Sequence, residues 1–280
     1  MRNWLIFSLV VITTLSGQLN TTILSLSDRL NSDFNPAYIA VGSGETIFLM
    51  DPQKRQLAAI KTDNIVIYTG GFGRELDAFF DPTDLIVNNL EVIVCDRSEH
   101  RLLRFDLQLN YIGDFNLTES GELYQYPQSL SVDPWGALLA FSESSSLIIR
   151  IDNNVNRLET LIDLENQIDP VRCVADLAVS NSGETGVLFP CRNQVRIYNR
   201  FGRPVVNLPL ALDDPSILVH YKGYWLALNS RAEWQSGDRS RMGNVQKFAA
   251  IEGAIIHATV FNNRLYLLTS ENIFIIRFEI

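Results

Sequence analysis

The chain has 280 residues, of which 46% are hydrophobic and 20% charged, with a formal net charge of −9. That length allows one large domain with a sizeable core, and the absence of low-complexity tracts excludes a disordered or fibrous protein. Affinity for phosphate backbones comes from clustered Lys and Arg, so the acidic balance excludes a general nucleic-acid binder.

Met1-Arg2-Asn3 supplies a short positive region, Trp4 to Leu15 an almost wholly apolar run, and Thr14-Leu15-Ser16 a small-residue exit. This is the layout of a secretory signal peptide, expected over residues 1–17, too short to cross a bilayer that needs about 20 apolar residues. The alternative is an uncleaved anchor or a buried element. Nothing later is apolar for long enough to span a membrane, so the expected location is secreted or periplasmic. The three cysteines, Cys95, Cys173 and Cys191, leave either one thiol unpaired or all three reduced.

From residue 35 onward, short apolar or alternating runs are punctuated by turn residues, and no stretch keeps a helical period. One unit recurs: a Pro, a short strand ending in Val, a polar turn, a second apolar strand, a charged turn and a third strand. Its clearest copy is Phe80-Asp81-Pro82-Thr83-Asp84-Leu85-Ile86-Val87, followed by Val92-Ile93-Val94-Cys95-Asp96 and Arg101-Leu102-Leu103-Arg104-Phe105-Asp106. The strand-ending Val recurs at Val41, Val87, Val132, Val179, Val219 and Val260, at roughly the blade length of propellers. Second strands follow from Ile47, Val92, Leu138, Val187, Trp225 and Leu265. Third strands are expected at 57–60, 102–105, 147–151, 195–198, 245–248 and 273–278.

Outer strands are expected at 65–68, 111–115, 158–162 and 205–208, whereas the last copy reaches Ile280 without one. Thr21 to Leu26 is β-prone and lacks a partner of its own, so it is expected to supply the missing strand and close the ring. The reading is an all-β, six-bladed β-propeller of four-stranded antiparallel blades, closed by an N-terminal strand that completes the last blade. Residues 18–280 form this one domain, with blades about 34–73, 74–120, 121–165, 166–210, 211–253 and 254–280.

Phe80 to Phe115 resembles an NHL repeat. Pro82 opens the inner strand, Val92-Ile93-Val94 is followed by Asp96, and His100-Arg101 leads into the third strand with Phe105-Asp106. Gly113 and Phe115 fill the final positions, and Gly71-Phe72-Gly73 is the glycine-rich lead-in. The other copies match more weakly, the last three only in apolar pattern. The resemblance implies a six-bladed propeller. Propellers of this kind include lactonases and amidating lyases with a metal at the channel mouth, and also non-enzymatic modules.

In such blades the loop entering the inner strand and the loop joining strands two and three lie on one face. That face is expected to carry 70–80, 96–100, 169–174, 191–194, 213–215 and a long insertion, 229–243, with Trp234 as either a ligand-stacking platform or a pin for the loop. Cys173 and Cys191 fall at the same end of one blade, where they form either a disulfide or two buried thiols. Cys95 reads as a core residue. Asp96 with Arg101 and Asp51 with Arg55 read as structural charge pairs, and His100 and His220 as surface residues.

Three positions before each Val lies a polar residue: Tyr38, Asp84, Ser129, Asp176, Ser216 and His257. Asp84, Asp176 and His257 come from alternate blades. They either hold a divalent metal (calcium or zinc) or line a water-filled channel. Dinucleotide, phosphate-loop, Gly-x-Ser-x-Gly and His-Glu-x-x-His signatures are absent. The expected function is an exported binding or scaffold module for a protein, peptide or glycan. The second reading is a metal-dependent hydrolase or lyase with its site at the channel mouth.

Overall fold

The computed structural model describes residues 20–120, 125–152 and 157–278; the expected signal peptide lies outside them. It holds six four-stranded antiparallel sheets, arranged as the blades of a propeller. The inner strands are Tyr38–Val41, Pro82–Asn88, Pro127–Val132, Asp176–Val179, Ile217–Tyr221 and His257–Phe261. Among the described residues no helix is long and apolar enough to cross a membrane.

The core is divided into six clusters, one in each gap between neighbouring blades. This explains why the second strands read as unbroken apolar runs. In Ile47–Asp51, Ile47 and Leu49 pack toward blade six, while Phe48 and Met50 pack toward blade two. Both faces of the strand are buried, so the usual alternation of apolar and polar residues disappears.

The ring closes through Asn20–Ser25, which pairs antiparallel with Asn272–Arg277 and occupies the outer edge of blade six. Ile23 lies opposite Phe274, and Leu26 is buried just beyond the strand. The edge of Asn272–Arg277 is thereby covered.

Blade five departs from expectation. Its third strand is Glu233–Gly237, and the segment expected as third strand holds the short outer strand Gln246–Lys247. The supposed insertion is thus a strand with a turn at each end, and Trp234 is not on a loop. Trp234 is buried, stacked on Phe248 at 5.4 Å and edge-on to Phe278 at 5.3 Å. The strand escapes an apolar reading because Gln235 is buried as well. Its side-chain oxygen accepts from Ala211 N at 2.9 Å, and its nitrogen donates to Gly243 O at 2.7 Å.

Cys173 and Cys191 form a disulfide with a Cα–Cα distance of 6.1 Å, and Cys95 is a buried free thiol. Closing a loop of 18 residues' separation contributes about 3 kcal/mol by restricting the unfolded chain.

Candidate functional site at the central channel

The inner strand of each blade pairs on one side only, so alternate backbone N–H groups face the channel and need acceptors. The six equivalent residues are Ile39, Leu85, Leu130, Leu177, Leu218 and Ala258, each opposite the same position of its second strand. Asp84 accepts from Leu85 N at 2.7 Å and from Leu130 N of the next blade at 2.6 Å. Asp176 repeats this two blades on, accepting from Leu177 N at 2.8 Å and Leu218 N at 2.7 Å. His257 completes the threefold pattern through Nδ1, which accepts from Ile39 N at 3.3 Å. Three side chains on alternate blades thus serve five of the six amides.

These three residues also form the waist of the channel. They line both the mouth, a cavity of about 290 Å³, and the wider lower half, about 410 Å³. Tyr38, Ser129 and Ser216 join them in the mouth, so the structure brings all six aligned residues together. In blade five, however, the equivalent of Asp176 and His257 is Ile217, which pairs with Leu228. Ser216 lies one position before it. By the same shift, His220 rather than Val219 takes the place of the strand-ending Val. It is not a surface residue: it lines the lower half of the channel, edge-on to Trp225 at 4.9 Å, where burial lowers its pKa.

Burial dominates the electrostatics of the waist. It pushes Asp176 up to about 7, against the amides of Leu218 and Leu177 and the Ser129 hydroxyl, which donates at 3.2 Å. Burial, and next the charge of Asp176, raise Asp84 well above the carboxylate range. His257 is lowered to about 4, and Tyr38 raised to about 12, both chiefly by burial. With Nδ1 accepting, the proton of neutral His257 is on Nε2, which faces Asp84 Oδ1 at 3.6 Å.

In this arrangement His257 has Nδ1 engaged and Nε2 protonated, and each carboxyl oxygen of Asp84 and Asp176 accepts a backbone amide. Among the described residues no three His, Cys, Asp or Glu side chains are grouped so as to hold a metal ion. The aligned polar ring is therefore first a set of clasps between blades.

A second polar position recurs at the end of the second strands. Asp51 accepts from Asn35 N, Gln53 N and Lys54 N at 2.7, 2.9 and 3.0 Å. Arg55, expected as its partner, instead lies over the rings of Phe72 and Phe80. Asp96 accepts from Phe80 N and Asp81 N and does pair with Arg101, at 3.3 Å. His100 accepts from Tyr126 N through Nδ1 and packs edge-on against Tyr126. Thr83, Gln128 and Ile256, which also line the mouth, escaped the sequence reading although each precedes an aligned residue by one. Reading that neighbouring column would have found them.

No family model and no curated protein matches this sequence. Solved structures do match its fold. Virginiamycin B lyase from Staphylococcus aureus superposes with a TM-score of 0.64 at 10% identity, covering 94% of this chain and 100% of the lyase. A gluconolactonase from Xanthomonas campestris gives 0.67 at 14% identity, covering 93% and 90%. A nidogen/laminin complex contributes a chain with 0.62 at 12% identity, covering 81% and 85%. At such identities the likeness is one of architecture, and it spans both enzymes and a protein-binding assembly.

Proposed function

We propose that this protein is an exported binding module that takes up a protein or peptide through the loop face around the channel mouth. The observation that carries this reading is the set of large apolar side chains on loops entering the inner strands. Phe72 is 80% and Leu76 71% exposed on the loop before blade two, and Tyr126, Ile168 and Ile256 are exposed before blades three, four and six. Large exposed apolar groups on loops held by a rigid scaffold mark interaction surfaces. The net charge of −9 favours a basic partner and disfavours nucleic acid. The Cys173–Cys191 disulfide supports an oxidising, secreted or periplasmic location, as does the leader expected over residues 1–17 of a single-domain chain of NHL-type repeats.

The test compares partner capture from the exported fraction by wild type and by a Phe72→Ala/Leu76→Ala variant. We expect the variant to lose a partner that wild type retains and that high salt weakens. An unchanged set of captured proteins would overturn the reading. The hydrolase or lyase reading rests on the mouth cavity with its buried Asp84, Asp176 and His257. It is the weaker one, because those side chains are engaged by the backbone.

A further inference from the structure

The opposite face of the ring, where each inner strand turns into its second strand, carries a separate slot of about 200 Å³ between blades three and four. It is lined by Trp135, Arg150, Arg200 and Phe201. Every lining residue is aromatic or cationic, on a chain whose net charge is −9. Trp135 is 57% and Phe201 66% exposed, whereas Trp225 and Trp234 are buried.

The slot is held in shape. Buried Asp133 accepts from Trp135 N and Ala137 N, both at 2.9 Å, which fixes the turn bearing Trp135, and its other oxygen pairs with Arg150 at 2.9 Å. The Trp135 ring lies against Gly183, where a Cβ would come within 2.5 Å of it. Gly183 has φ +79°, so glycine is favoured there twice over, by backbone conformation and by the close ring. Arg200 is exposed, with its guanidinium 4.6 Å from the Phe201 ring, and among the described residues no carboxylate pairs with it.

We infer that this slot is a subsite for a carboxylated sugar, such as a uronate unit of an acidic polysaccharide. The open aromatic ring suits the C–H-bearing face of a pyranose, and a guanidinium suits its carboxylate, which arginine grips in two parallel hydrogen bonds. The slot admits about one sugar ring and offers no continuous apolar strip for a helix or strand. A polynucleotide would need positive charge along its whole length, which this chain lacks.

Trp135 is the exposed tryptophan among the described residues, so its emission reports on the slot. Trigalacturonate and sialyllactose serve as probes, with methyl-esterified trigalacturonate as the uncharged control. At least one acidic probe is expected to change the emission saturably and to give calorimetric binding. Binding should weaken at least about tenfold in Arg200→Ala, which removes the charged hydrogen-bond donors to the carboxylate. Where trigalacturonate binds, its ester should be similarly weakened. Binding should vanish by calorimetry in Trp135→Ala and persist in Phe72→Ala/Leu76→Ala, which separates this slot from the loop face. The inference is overturned if neither probe binds, if Trp135→Ala and Arg200→Ala bind as wild type does, or if a single-stranded oligonucleotide is preferred.

Discussion

How many channel amides each waist residue satisfies follows from its chemistry. Each of the two aspartates accepts two backbone N–H groups, one on each oxygen, whereas a neutral imidazole has a single lone pair and accepts one. An unsatisfied buried donor costs about 1–3 kcal/mol, so Asp84→Ala and Asp176→Ala should each destabilise about twice as much as His257→Ala. Urea denaturation checks this, and wild-type stability in all three would dissolve the clasp assignment. The same groups set a pH dependence. Asp176 is raised from 3.8 to about 7, so its stabilising contribution is full below about 3.8 and lost as pH rises through about 7. His257 runs the other way: its contribution is full above 6.5 and lost as pH falls through about 4. The histidine contributions, that of His220 included, level off about one pH unit above 6.5, and beyond that the raised acids Asp176 and Asp84 alone keep changing, so Tm should fall toward about pH 8. Asp176→Asn should flatten that limb, and melts at constant ionic strength would show a parallel decline in both proteins if the assignment is wrong.

Strands with two apolar faces are the elements most legible from sequence. Phe48 to Met50, Val92 to Cys95 and Leu138 to Phe141 lie where their composition places them, because each is gripped by two neighbouring blades. Blade five departs from its expected pattern for the same reason in reverse. Its third strand buries a hydrogen-bonded glutamine beside a tryptophan, and its inner strand puts His220 where five blades have valine. Side-chain hydrogen bonding is invisible to hydrophobic pattern, which hides the third strand, and a valine beside His220 shifts the inner-strand register by one, so that Ser216 stands one position before the true equivalent, Ile217, although it still lines the mouth. The closing strand was legible from a mismatch, a β-prone segment at one end and an unfinished blade at the other. Removing residues up to Leu30 would bare the edge of Asn272–Arg277 and withdraw Ile23, Leu24 and Leu26 from the clusters flanking blade six. The buried Leu26 and Leu30 each contribute about 1.5–3 kcal/mol and the half-buried Ile23 and Leu24 less, so a chain beginning at Asn31 should melt far lower or aggregate. A truncation with wild-type Tm would contradict the closure.

At the scale of the whole molecule, the candidate surfaces lie on different faces. The loop face carries the exposed Phe72 and Leu76, the channel waist binds blade to blade, and the opposite face presents Trp135 above a small cationic slot. The loop face and the polar channel mouth were legible in the sequence, the first from loop length and blade topology and the second from one aligned column of polar residues. The slot was not, because its residues meet across two blades and share no spacing along the chain.

The seam in blade six has a further meaning for how the protein comes into being. The first described strand is made early and finds its partner only in the last, so no partial chain can complete the ring. Until Asn272–Arg277 has been made, blade six is incomplete and its neighbour's apolar wall is uncovered. Closure through so distant a pairing is slow, and the growing chain is vulnerable to aggregation and proteolysis until these two strands meet.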